Sequence, residues 1–233
     1  MTDMKRKPMR ADDFLKELNA DPEYVRRRAK LDAGFDAQEE VLRVDEAPVM
    51  EDLRKAGFHV ESVWHLFNTD KPWQSDAAIP DYSNAIPVLE KHLGGSYHPR
   101  NREGIARALT GEGGRGTLEK LHEVFRETTR AEVADLQIKV TIRAMLEGCR
   151  EYYSPAEIEE CTQANWDSYR FSLVNAICEN TGKGDVEMAV DLIKGSCESM
   201  ELKQAFASEL RRKVKRWRGV DPGVMEFLES VME

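Results

Sequence analysis

Long apolar runs are missing from this 233-residue chain. No stretch approaches the ~20 apolar residues that a spanning helix needs, so composition argues against a membrane protein. Met1–Arg10 is charged and no apolar stretch follows it, so no secretory signal is expected. Cysteine is scarce. Cys149, Cys161, Cys178 and Cys197 all lie in the C-terminal half, with no CxxC pair and no zinc-ribbon spacing. Without an export signal, the expectation is reduced thiols in a cytoplasmic protein. Positive charge is in deficit: 34 Lys and Arg face 43 Asp and Glu, a formal net charge of −9. That balance counts against nucleic acid as the partner, although a local basic patch is compatible with it. The signatures GxxxxGK[ST], HExxH and GxSxG are absent too. The Gly-rich stretch Gly111–Gly116 has glycines that expose backbone amides. It lacks a Lys-Ser/Thr and a preceding strand pattern, so it reads as a loop.

Apolar residues make up 41% of the chain, enough for a core. Their spacing is helical almost throughout. Asp21-Pro22-Glu23 is an N-cap with proline at the first helical position, opening a long charged helix toward Val44. Its apolar stripe is thin: Tyr24, Leu31, Phe35 and Leu42. Pro48 is expected to interrupt or kink it, leaving a short helix that ends at Gly57. Short helices follow over Ser62–Asn68 and Tyr82–Leu93, then Pro99–Leu109 and Thr117–Thr128. Ala131–Cys149 carries two stripes, Val133-Leu136-Val140-Ala144 and Ile138-Ile142-Met145, which predicts packing on two sides. Ser154-Pro155-Ala156-Glu157 is a capping box that starts a short helix to about Gln163, and 167–180 is a further two-sided helix. Three more helices follow, one with Phe206, Leu210, Val214 and Trp217 at helical spacing. The sum is all-α, roughly ten to twelve helices with short connections, in pairs that suit an α-solenoid.

The segments Ala85–Leu93 and Tyr97–Leu109 resemble a HEAT repeat. Pro87 stands near the start of the first helix, and Arg102, Glu103, Ala106, Ala108 and Leu109 come near the second-helix pattern. Ser168–Arg212 looks like a degenerate set of such helices, and the stretch 11–25 with Val60–Trp64 looks like the leader of uncharacterised bacterial HEAT-like proteins. The resemblance covers residues 11–110 best, and Glu151–Trp166 reads as an insertion. It implies a HEAT-like helical-repeat domain over 59–233 behind an N-terminal helical extension or cap over 1–58. It speaks to fold far more than to function.

For function, the expectation is a non-catalytic protein-interaction module with no cofactor and no metal site. Such a module binds, and by binding inhibits or neutralises, a protein with a basic surface, such as a nucleic-acid-processing enzyme or a toxin. The candidate binding residues are Trp73, Tyr97, Arg100, Arg102, Arg107, Arg143, Trp166 and Arg170, because arginine and aromatics are enriched at interfaces. The competing expectation is a HEAT-like DNA-binding protein or alkylbase DNA glycosylase, recruiting Arg102, Arg107, Trp73, Trp166 and Asp167. A homodimer through the N-terminal helix is a third. The five histidines lack ligand spacing. The basic run Arg211–Arg218 fits a packing helix whose Val214 and Trp217 face inward, and less well an anion patch.

Overall fold

The structure, a computed structural model, describes residues 10–67, 82–111, 113–197 and 199–233. Every regular element among them is helical. Helices α1 (Ala11–Ala20) and α2 (Pro22–Lys55) are followed by a 3-10 turn at Val63–Leu66. Then come α3 (Ile86–Leu93), α4 (Pro99–Ala108), α5 (Arg115–Thr128), α6 (Ala131–Cys149) and α7 (Pro155–Asn180). Helices α8 (Val186–Ser196), α9 (Met200–Val214) and α10 (Pro222–Met232) complete the chain. No helix among the described residues is long and apolar enough to cross a membrane.

Helix α7 is the hub. Its start is the expected capping box: Ser154 Oγ accepts from Glu157 N–H and Glu157 accepts from Ser154 N–H. It does not stop near Gln163. It continues unbroken for 26 residues, so Glu151–Trp166 is not an insertion between elements but the connection into a central helix and its first half. The physical reason is simple: after Pro155 no proline or glycine interrupts the chain until Gly182. Trp166, Tyr169, Leu173, Ala176 and Ile177 are buried along it, and it packs on α4 most extensively, then on α5, α6 and α9. One core unites Val49 and Leu53 of α2, Leu89 of α3, Ile105 of α4, Phe125 of α5, Phe206 of α9 and Leu228 of α10.

A further expectation changes, and another holds in part. Pro48 does not break α2, which runs 34 residues through it. The proline is exposed, so the lost hydrogen bond falls on the solvent side, while Leu42, Val49, Met50 and Leu53 anchor both flanks. Helix α6 does lie between neighbours, packing on α7, α2 and α5, but its first stripe is not covered throughout. Met145 and Cys149 are buried, but Leu136 is 64% and Val140 59% exposed. On that stripe Val140 and Ala144 face α2 only across an open pocket of about 350 Å³ shared with Val41 and Val44.

The basic run is a packing helix only in its first half: α9 ends at Val214, and Lys215–Arg218 lie beyond it. Phe206, Leu210 and Val214 are buried, and Trp217 is half-buried. Arg211 pairs with Glu229 at 2.7 Å and Arg212 with Glu179 at 2.8 Å. Gly111-x-Gly113-x-x-Gly116 has the GxGxxG spacing, yet it follows α4 instead of a strand. Gly111 sits at φ +77°, Gly113 N–H donates to Asn180 at the end of α7, and Gly116 already lies in the first turn of α5.

Phe206 is fully buried and meets Phe125 edge-on at 5.6 Å between centroids. Phe206→Ala is expected to lower unfolding free energy by about 3–5 kcal/mol in urea denaturation. A loss below about 1.5 kcal/mol would contradict this core.

Candidate functional site

The site is built on α4. His98 caps it, its Nδ1 accepting from Arg100 N–H at 3.1 Å. Asp45 of α2 fixes that corner by accepting from His98 N–H at 2.8 Å and from Asn101 at 2.8 Å. Most of α4 is buried, yet Arg100 and Arg107 are exposed. They stand seven residues apart, two turns, on one face. Both guanidinium groups lie over the ring of Trp64, at 5.7 and 5.5 Å from its centroid.

Trp64 is held for this role from below and behind. Gly104 lies under it, where a Cβ would come within 2.9 Å of Trp64 Nε1, so a larger residue would lift the indole. Glu46, buried on α2, accepts from Val63 N–H at 2.7 Å and from Ser62 Oγ at 3.2 Å. Burial pushes this carboxyl up, opposed by those two hydrogen bonds. Arg107 pairs with Glu103 at 2.8 Å. Beside Trp64 opens a cleft of about 410 Å³, lined on its polar side by Glu39, Arg43, Glu61, His65 and Arg100. A half-open indole between two planar cations, with acids along the rim, can stack on and hydrogen-bond to a protein surface.

The other candidate residues do not join this face. Arg102 points to the opposite side of α4 and is 2% exposed. Its guanidinium lies 4.6 Å from the Tyr169 ring centroid and 5.6 Å from that of Trp166, and its Nη1 donates to Gln137 Oε1. Trp166 is therefore internal as well. Tyr97 belongs to a chain that ties α3 to α2: its hydroxyl is 2.6 Å from His92 Nδ1, and His92 Nε2 is 3.0 Å from Asp52. Lys91 beside Asp52 holds that carboxyl well below the usual range, with His92 and Lys55 adding to it. Arg143 is exposed on α6 and paired with Glu147. Arg170 is half-buried on α7. Trp73 lies outside the described residues. Sequence reasoning missed Trp64 and Glu46 as site residues. The usable signal was Ser62 as a cap placing Trp64 in a short turn. Its pairing with Gly104, 40 positions later, has no local signature.

Among the described residues no three His, Cys, Asp or Glu side chains gather as metal ligands. Comparison with known proteins returns no matching family model, no matching curated protein and no matching solved structure.

Two buried imidazoles set the acid response. Burial pushes His98 down to about 4, with Arg100 adding to the effect, and pushes His122 down to about 4, with Arg126 adding to it. The unfolded chain takes up both protons near pH ~6.5, while the folded chain stays neutral there until about 4. The unfolded state is therefore favoured as pH falls through this window, and from these groups stability rises with pH. Asp45 and Glu46, raised by burial, work in the opposite sense. His122 has no partner on either ring nitrogen, so its effect can be isolated. Between pH 7 and pH 5 the wild type is expected to lose about 2 kcal/mol more than His122→Leu in urea titrations. Equal losses would show that His122 is not neutral in the folded state.

Proposed function

We propose that this chain is a non-catalytic protein-interaction module with a HEAT-like helical arrangement, and that it binds its partner through the Arg100–Trp64–Arg107 face. The observation that carries the reading is the pair of exposed guanidinium groups over a half-buried indole, built on a helix that is otherwise buried. Arginine and tryptophan dominate binding hot spots because they offer large rigid contact area and directional donors. The paired helices α3 and α4, with Pro87 in the first turn of α3, suit a HEAT-type pair. The net charge of −9 suits a partner that is basic overall and steered by long-range charge, while the face itself, with Arg43, Arg100 and Arg107 beside Glu39 and Glu61, anchors by stacking and by donating hydrogen bonds to acceptor groups on that partner. Binding then inhibits or neutralises that partner by covering it. Four free thiols suit a reducing compartment, so the proposal places the protein in the cytoplasm. For the DNA-glycosylase alternative no specific observation stands. Arg102 and Trp166, which it would need at a cleft, are buried against each other.

The test is affinity capture from native lysate with the wild type and an Arg100→Ala/Arg107→Ala variant, which removes the stacking and donor groups without adding acids, with and without nuclease. A stoichiometric protein that survives nuclease, weakens with salt and is lost by the variant is the expected result. Each arginine should contribute about thirtyfold in Kd, the size of a ~2 kcal/mol hot spot. Identical capture by both forms, or nucleic acid alone, would overturn the reading.

A further inference from the structure

Of the large apolar side chains exposed among the described residues, most stand on three elements. Phe14 and Leu15 are on α1, Val25, Leu31, Phe35 and Val44 on α2, and Leu136 and Val140 on α6. Helix α1 is amphipathic, with Phe14, Leu15 and Leu18 on one side, and buries none of its residues. It cannot settle on its own core easily, because the first 12 residues of α2, Pro22–Ala33, bury nothing either. That length of helix holds α1 about 18 Å away from the packed body.

The receiving surface is the outer half of α6. Leu136 and Val140 are exposed there, Val140 also lining the pocket it shares with Val41 and Val44 of α2, and on the other flank lies a shallow groove of about 360 Å³ lined by Ile142 and Leu146. Lys139, Arg143 and Arg150 rim it, with Glu147 and, through its pair with Lys139, Asp135 as the acids beside them. The rim cations are held only by exposed pairs within α6, Lys139 with Asp135 and Arg143 with Glu147. Such pairs are weak and exchange readily. Helix α1 has the opposite pattern: its apolar side is flanked by Asp12, Asp13 and Glu17 against one cation, Lys16.

We propose that the occupant of the α6 face is α1 of a second copy of this chain, exchanged reciprocally in a two-fold dimer. Phe14, Leu15 and Leu18 cover Leu136, Val140 and the Ile142–Leu146 groove, and the acids of α1 meet the basic rim. Reciprocal exchange makes the contact twice, which a specific interface of ~1,200 Å² or more requires of so short a helix. The proposal is independent of the Trp64 face, which it leaves open.

Sedimentation equilibrium of the full chain, with circular dichroism as the folding control, tests it. The wild type is expected at twice the chain mass. Phe14→Asp/Leu15→Asp and, separately, Val140→Asp are expected at the single-chain mass with unchanged helicity, since all three residues are exposed. Asp12→Lys/Asp13→Lys should weaken association about tenfold or more, and adding Lys139→Glu/Arg143→Glu to that chain should recover it. Arg100→Glu/Arg107→Glu should leave the dimer mass unchanged. A wild-type monomer at all concentrations overturns the proposal. So does a dimer that survives the α1 changes, or one that charge reversal on both sides fails to restore.

Discussion

Arg102 is 2% exposed with its guanidinium set against the Tyr169 and Trp166 rings, and α4 and α7 must stay in contact for that burial to be tolerated. Removing a guanidinium from water costs several kcal/mol. Two aromatic faces return about 0.5–2 kcal/mol each, and the hydrogen bond to Gln137 on α6 adds to them. This compensation works only where Tyr169 and Trp166 are held edge-on to each other, 5.9 Å apart, on a single continuous helix. The length of α7, the seat of α4 and the place of α6 are thereby linked through one side chain. The opposite face of α4 inherits its rigidity from this contact. Arg100 and Arg107 can hold fixed positions over Trp64 because the helix beneath them has nowhere to rotate.

The chain writes its local structure plainly. The cap at Asp21, the box at Ser154 and the proline-led starts at Pro99 and Pro222 all open helices where the residues say so. The apolar spacing of 206–214 marks a face that is buried. Misreadings occur where a local signal depends on a distant one. Proline at 48 is a breaker by residue type, but its effect depends on facing solvent. The second stripe of α6 is apolar like the first, and nothing local distinguishes a side covered by the chain from a side left open. The end of α7 was legible only as the absence of a breaker, which is a weak mark beside a capping box.

The candidate site divides in the same way. Arg100, Arg102 and Arg107 are equivalent as residue types within one short helix, yet a 100° step per residue sends the middle one inward. What assigns their roles is the partner each finds: Trp64 from a 3-10 turn upstream, Trp166 and Tyr169 from a helix far downstream. Glu46 illustrates the reverse case. A charged residue on a charged helix is buried because the 3-10 turn offers its carboxylate a backbone amide and a hydroxyl.

The α4–α7 contact also orders events during synthesis. The residues that α4 needs lie some 70 positions later, so the half of the core that precedes α7 has no complete partner until Asn180 has left the ribosome. At ordinary translation speed that interval is on the order of 4–14 s. During it, Leu89, Leu93, Ile105 and Leu109 are nascent apolar surface, a natural substrate for chaperones. The protein's yield in a cell thus depends on how well that interval is covered, and codons that slow translation between residues 110 and 180 lengthen the exposure.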